Sequence, residues 1–246
     1  MNSLEVLEAV KIVFVSIFLI YACFLDFKSR IVPNRVWKAM LIAVAPMVGY
    51  EVYYAFVENS ISLISAMLGA TFMIVFAYMI YAINAYGGAD AKALMSLALI
   101  FPFYPKIGDF PLLNQGFGIF AFSVLANSVI FAPFMMVFLL VRNLLKEGFE
   151  GLLKNPLFYM AGYRIQVEKI RFHNLFEFVD EKGELKKVKR AVECDEEKLR
   201  RLKSCGIEKV WVTPALPFMI FITIGFFIAI LLGDVFVEIL EAMLKK

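Results

Sequence analysis

Residues Ile61–Ile83 contain no charged side chain at all. A run that long and that apolar meets the requirement of about 20 residues for a helix crossing the hydrocarbon core of a bilayer. In lipid the backbone must satisfy its own polar groups, which leaves only helices and closed barrels. An unbroken apolar run, without period-two alternation, selects the helix. Similar runs recur at about Val10–Phe27, Val36–Val57, Asp90–Tyr104, Gln115–Val141 and Pro214–Leu232, with Pro133 expected to kink the fifth. The chain as a whole is 61% hydrophobic and 19% charged, with a mean hydropathy of +0.77. An average soluble chain is about 45–50% apolar and about 25% charged, so the excess needs lipid.

The fold expected is an all-α polytopic membrane protein of six transmembrane helices, with a small α+β cytoplasmic domain between helices 5 and 6. Residues 1–141 hold helices 1–5, 142–210 form the soluble domain, and 211–246 hold the sixth helix and tail. In the polar segment, Arg164–Val167 and Phe176–Val179 read as strands, with Glu181–Glu184 as a turn that makes a hairpin. Asp195–Gly206 reads as a helix capped by Asp195 and ended by Gly206, and Lys209–Thr213 as a last strand. No internal repeat of 20–50 residues is visible, which speaks against solenoids and inverted-repeat carriers.

Cations in short loops set the orientation. Lys28, Arg30, Arg35 and Lys38 follow the first span with no acid among them, and Arg142 and Lys146 follow the fifth. The opposite loops carry Glu58 alone, then Lys106 against Asp109. These place the Lys28–Lys38 loop, residues 84–89 and the soluble domain in the cytoplasm and both termini outside, with Lys245–Lys246 a minor contrary signal. Trp37 and Trp211 fall at the inner boundary and Tyr50, Tyr53 and Tyr54 near the outer one. Glu5 and Glu8 precede the first apolar run and cations follow it, the reverse of a secretory leader, so this run is expected to stay as an anchor. Cys23, Cys194 and Cys205 offer no zinc-ligand spacing, and a net charge of +3 argues against nucleic-acid binding.

Two carboxylates stand out. Asp26 lies near the cytoplasmic end of the first span, and Asp90 follows Tyr86-Gly87-Gly88-Ala89 at the cytoplasmic entrance of the fourth. Either alone reads as a cap or a solvated interfacial charge. Together they belong to one face of the bilayer, where ionisable groups are costly and usually functional. Gly87-Gly88 adds a loop that foreign backbone can approach and that can adopt positive φ. Such a site suits proteolysis, because a helical substrate must unwind and be held extended before its peptide bond is exposed.

The residues Gly87-Gly88-Ala89-Asp90 resemble the GxGD motif of intramembrane aspartyl proteases. Asp26 with Arg30-Ile31-Val32-Pro33-Asn34 resembles the first catalytic Asp and the basic Pro-Asn loop of prepilin peptidases. The layout, with a cytoplasmic domain before Val210-Trp211-Val212-Thr213-Pro214…Pro217-Phe218, is similar to the archaeal preflagellin peptidase family. The resemblance implies an aspartyl endopeptidase with Asp26 and Asp90 catalytic and Gly87, Gly88 and Ala89 binding substrate. It implies no metal and no organic cofactor. The substrates implied are preflagellin or prepilin precursors, cut after a short basic leader just before a hydrophobic helix. Ala89 replaces the motif's glycine, which keeps close approach but disfavours positive φ. The four-cysteine zinc domain of bifunctional prepilin peptidases is missing from the loop after span one, which removes support for a coupled N-methyltransferase. Pro214-Ala215-Leu216 also spells the PAL tripeptide of presenilin-like proteases, read as coincidence.

Two carboxyls sharing a site do not both ionise easily, so one is expected to polarise the scissile carbonyl while the other deprotonates a water. Asp90 sits at a helix N-terminus and Asp26 near a helix C-terminus, which points to Asp90 as base and Asp26 as acid. The acidic Glu193–Glu197 segment is a candidate contact for the basic leader, although helix capping accounts for most of it. Glu51 is expected at the outer interface, Lys92 to snorkel, and His173 to serve domain packing. Asp234 falls on the outer side, away from the pair. The rival readings are an ion-coupled transporter, which would place carboxylates near the midplane on broken helices, and a non-catalytic assembly protein, which leaves the aspartates and glycines unexplained.

Overall fold

A computed structural model of the protein describes residues 3–58, 60–83, 85–214 and 218–245. It divides into two compact units, residues 1–131 with 217–246, and residues 132–216. Ala215 and Leu216 of the PAL tripeptide, Pro217, Asn84 and Lys246 lie outside the described residues.

The first unit is helical: α1 (Ser3–Ser29), α2 (Asn34–Glu58), α3 (Ser60–Ala82), α4 (Gly88–Ile100) and α5 (Phe120–Val129), then α10 (Phe218–Leu231) and α11 (Val235–Leu244). Its helices are apolar on nearly every side, so the interior is marked by something other than hydrophobicity. On α1 the buried stripe is Glu8, Lys11, Val15, Leu19, Ala22 and Asp26, spaced three or four apart as one face of a helix requires. The opposite face exposes Val13, Phe14, Ile17, Ile20, Phe24 and Phe27. Large apolar residues cover the outside elsewhere too, with Ile42 at 74% and Ile61 at 81% exposure. A water-soluble monomer rarely exposes apolar patches beyond a few hundred Å²; lipid is the solvent that suits this surface.

Among the described residues, four helices are long and apolar enough to cross a membrane: Ser3–Ser29, Asn34–Glu58, Ile61–Ala82 and the Phe120–Glu147 run. The pair α10 and α11, bent by 72° at residues 232–234, makes a fifth if counted as one span. The helix α4 has 13 residues, about 20 Å at 1.5 Å per residue, short of the ~30 Å hydrocarbon core. It is largely enclosed, with Asp90, Ala91, Ala93, Leu94, Ser96, Leu97, Ala98 and Ile100 all buried. Small residues let helices approach where no hydrophobic force draws them together in lipid. Gly225 of α10 does this against α5, where a Cβ would meet the Val124 carbonyl and Ser128.

The fifth run is interrupted at Ile130 rather than at Pro133, with α6 (Phe131–Glu147) beginning just beyond. The physical cause is still the proline. Lacking an N–H, it cannot bond the carbonyl four residues back, that of Val129. The helix α11 falls within the expected tail. Asp234 caps it, accepting from the Val237 N–H at 3.0 Å and from Ser123 Oγ at 2.7 Å.

The second unit follows α6 with α7 (Glu150–Lys154), α8 (Pro156–Ala161), β1 (Tyr163–Gln166), β2 (His173–Val179), β3 (Leu185–Glu193), α9 (Glu196–Ser204) and β4 (Lys209–Pro214). The strands form one antiparallel sheet of order β1-β4-β2-β3. Val167, Leu175, Val179, Leu202, Val210 and Val212 make one core, and Phe158, Tyr159, Phe176 and Trp211 a second. The expected hairpin is present as β2–β3, turning through Gly183 at φ 84°. The Asp195 side chain accepts from the Lys198 N–H at 2.7 Å, and Gly206 has φ 66°, so α9 carries both expected caps. Trp37 and Trp211 are 4% and 6% exposed, each packed inside its own unit.

Candidate active site

Both aspartates of the sequence reading are drawn into the first unit's interior, Asp26 at 9% and Asp90 at 8% exposure, as buried as its apolar core. They lie within Coulombic range of each other. Asp26 reaches inward because it ends the buried stripe of α1. There the chain turns out of the helix through Arg30, which takes the left-handed conformation at φ 58° while its N–H bonds the Asp26 carbonyl at 3.0 Å. The Arg30 guanidinium is in Coulombic range of the Asp26 carboxyl.

Asp90 is the third residue of α4. Gly87 caps this helix in extended backbone, φ −68° and ψ 154°, and donates its N–H to Asp90 Oδ2 at 3.2 Å. A side chain reaching back to the cap amide is half of a capping box; the other half cannot form, since glycine has no side chain. The positive φ expected of the glycines is not found at either. What Gly87 provides is space, because a Cβ there would stand 3.1 Å from Asp90 Oδ2. At Gly88 a Cβ would reach the Tyr81 ring at 3.4 Å, an ordinary contact. Ala89 lies inside the helix, where alanine is favourable, so the departure from the glycine motif has no conformational cost here. Gly87 is exposed although Asp90 is buried.

A third element was not foreseen. The backbone N–H of Met219, in the first turn of α10, is directed at Asp26. Asp26 thus faces the start of a second helix, and the premise that it sees only a negative helix end does not hold. Both carboxyls meet a positive helix terminus, so the dipole argument no longer separates an acid from a base.

Other candidates are placed plainly. Lys92 is exposed and donates to Asn34 Oδ1 at 2.8 Å, tying the start of α4 to that of α2. His173 Nε2 lies 2.8 Å from the Tyr163 hydroxyl within the sheet unit. In Glu193–Glu197, Asp195 caps α9, while Glu196 and Glu197 pair with Arg200 and Arg201. Glu51 is buried at 6% exposure and binds Lys11 Nζ, which also meets Glu8 at 3.2 Å and lies 4.7 Å from the Phe101 ring centre. Sequence reading passed over Lys11 because one cation at the edge of an apolar run is ordinarily a snorkelling residue. A cavity of 590 Å³ lies in the sheet unit around Gln166, Glu168, Lys203 and Glu208, and neither aspartate lines it.

Apolar-coated helices around an interior that gathers two carboxyls at one end define a membrane protein with a site suited to proton chemistry. The chain belongs to the type IV leader peptidase family, whose profile matches residues 13–140. Residues 154–235 match the family described as archaeal peptidase A24 C-terminus, type II. Among relatives, the preflagellin peptidase of Methanococcus maripaludis is 27% identical over 228 residues, 88% of this chain and 92% of its own. That of Methanococcus voltae is 27% identical over 231 residues, 92% of this chain and 96% of its own. The preflagellin peptidase of Methanocaldococcus jannaschii is 26% identical over 223 residues, covering 88% and 91%.

Proposed function

We propose that this chain is an aspartyl endopeptidase that removes the short basic leader from a preflagellin at the cytoplasmic membrane interface, with Asp26 and Asp90 as the catalytic pair. The observation that carries the reading is the burial of these two carboxyls, 64 residues apart in sequence, within Coulombic range of each other inside a bundle whose surface is apolar. One carboxyl, protonated, donates to the scissile carbonyl oxygen. The other takes a proton from the attacking water and passes it on to the leaving amine as the tetrahedral intermediate collapses. The N–H groups of Gly88 and Ala89, in the first turn of α4, have no intrahelical partner. They are the donors that hold the substrate backbone beside Asp90, and exposed Gly87 leaves room for it to approach. Every step uses groups of this chain and one water.

In the same reading the chain crosses the membrane six times, through α1, α2, α3, α4, α5 with α6, and α10. Both termini then lie outside, and the sheet unit faces the cytoplasm. The relatives named preflagellin peptidase support the substrate class, and the cation distribution supports the sidedness. The test is cleavage of a preflagellin by wild type, Asp26→Asn and Asp90→Asn in membranes. Cleavage by wild type and by neither variant, at equal accumulation, is the expected result. Near-normal cutting by either variant removes that carboxyl from the mechanism. If wild type cuts a prepilin and no preflagellin, the substrate assignment falls and the chemistry stands.

A further inference from the structure

The first turn of α10 touches both segments that carry the carboxyls. From α1, Cys23 Sγ donates to the Met219 carbonyl at 3.2 Å and lies 3.0 Å from Thr223 Oγ1. The Thr223 hydroxyl donates to the same carbonyl at 2.9 Å. Cys23 precedes Asp26 by about one turn, so the residue that grips α10 and the residue that receives the Met219 N–H share a helix face. On the other side, Tyr86 immediately precedes the Gly87–Asp90 segment. Its ring stacks on that of Phe218 with centroids 4.5 Å apart and planes at 29°. Two consecutive residues therefore divide the work. Phe218 holds the Asp90 loop, and Met219 holds Asp26.

We propose that this turn is the positioning element of the active site: Cys23 and Thr223 dock it on α1, Tyr86 and Phe218 dock it on the Asp90 loop, and it thereby sets the spacing of the two carboxyls. The proposal rests on the reading of Asp26 and Asp90 as the catalytic pair. Neither Cys23 nor Tyr86 takes part in bond making; both act through the backbone they hold. A thiol here is a small, weak donor whose work is geometric, and a hydroxyl of nearly the same reach replaces it.

Misplacing a catalytic group by about 1 Å costs as much as a hundredfold in rate. Cys23→Ala is expected to lower kcat about tenfold with KM within about twofold, because substrate binding is untouched while the geometry of attack is degraded. Cys23→Ser restores most of the rate, since the hydroxyl keeps the donor. Tyr86→Ala lowers kcat by about ten- to a hundredfold, and Tyr86→Phe, which keeps the stacked ring, stays within about threefold of wild type. All four are measured as purified full-length protein in detergent on a preflagellin substrate, beside Asp26→Asn and Asp90→Asn. If Cys23→Ala does not accumulate, the tyrosine pair carries the test alone. The proposal is overturned if the alanine variants turn over at the wild-type rate, if their loss lies wholly in KM, or if the conservative variants are no better than alanine. Asparagine variants that still cut would sink the catalytic pair itself, whereas dead asparagine variants beside fully active Cys23→Ala and Tyr86→Ala sink only the positioning role.

Discussion

The buried stripe of α1 carries ionisable groups at both of its ends, and the two ends are built on opposite principles. At one, Lys11 is wholly buried between Glu8 and Glu51, its ammonium 2.5 Å from Glu51 Oε2 and over the face of Phe101. At the other, about 22 Å along the helix, Asp26 faces Asp90, a second acid. At the first end one ammonium stands between two acids, within ion-pair distance of each. The second brings like groups together and gives them backbone donors, the Gly87 and Met219 amides, with Arg30 in range of Asp26. A cation held between acids from two helices ties those helices together; two acids in range of each other do not both ionise easily. Both places bury their carboxyls, so burial alone does not separate them. The ammonium seated directly between the acids at the first end does.

Breaking the Lys11 end should have the largest effect on stability. Lys11→Met strips the cation from two buried acids, and loss of one partner from a buried pair costs about 3–5 kcal/mol. Thermal unfolding in detergent should show a large drop in midpoint for Lys11→Met, with cleavage per folded molecule unchanged. Replacing all three, Glu8→Leu, Lys11→Met and Glu51→Met, should recover most of the loss, because an apolar cluster leaves no orphaned charge. A stable single variant, or a triple variant without cleavage, would erase the contrast between the ends.

A smaller effect, on rate only, is expected from Gly87→Ala. The backbone at Gly87 is extended and accepts alanine without strain, but the added Cβ crowds the Asp90 carboxylate. Cleavage should fall about tenfold, with a stability change below about 1 kcal/mol. A fully active Gly87→Ala would show that the Asp90 carboxylate has slack in its seat.

The smallest effect belongs to two carboxyls of the sheet unit, Asp180 and Asp195. Hydrogen bonding to Lys186 holds the Asp180 carboxyl below its usual range, and bonding to Lys198 does the same for Asp195. A carboxyl lowered in the folded state stabilises above its unfolded pKa, and that contribution fades as pH falls through the folded value. Amide exchange in β2, β3 and α9 should therefore quicken only below about pH 4. Lys186→Ala should flatten the change around the hairpin. An onset near neutral pH would point to a different group.

How far the sequence goes depends on the solvent of each unit. The sheet unit folds by rules tuned to water, and its turn at Gly183, the caps at Asp195 and Gly206 and the strand at Lys209 are legible as punctuation. The bundle offers little periodicity, since Ile17 on the outside and Val15 on the inside are equally apolar. There the interior is written in polar residues: Glu8, Lys11, Asp26, Glu51 and Asp90 mark the buried faces, and only the aspartates were read that way. The helix α11 had a readable signal, Gly233-Asp234 before an apolar run, hidden by treating the end of the chain as a tail. The role of α10 was not legible at all. Cys23, Tyr86, Phe218, Met219 and Thr223 are unremarkable apolar-span residues until the fold brings them to Asp26 and to the Asp90 loop.

The most direct test of the contrast between the two ends measures cleavage and thermal midpoint on one preparation of Asp26→Asn. Removing an acid from a pair of competing acids relieves repulsion and leaves an amide that still accepts the Met219 N–H. The expected result is no detectable cleavage of preflagellin with a midpoint at or above that of wild type. Retained cleavage, or lost cleavage with a midpoint as low as that of Lys11→Met, would mean that Asp26 belongs with the structural charges and that the catalytic end has been misassigned.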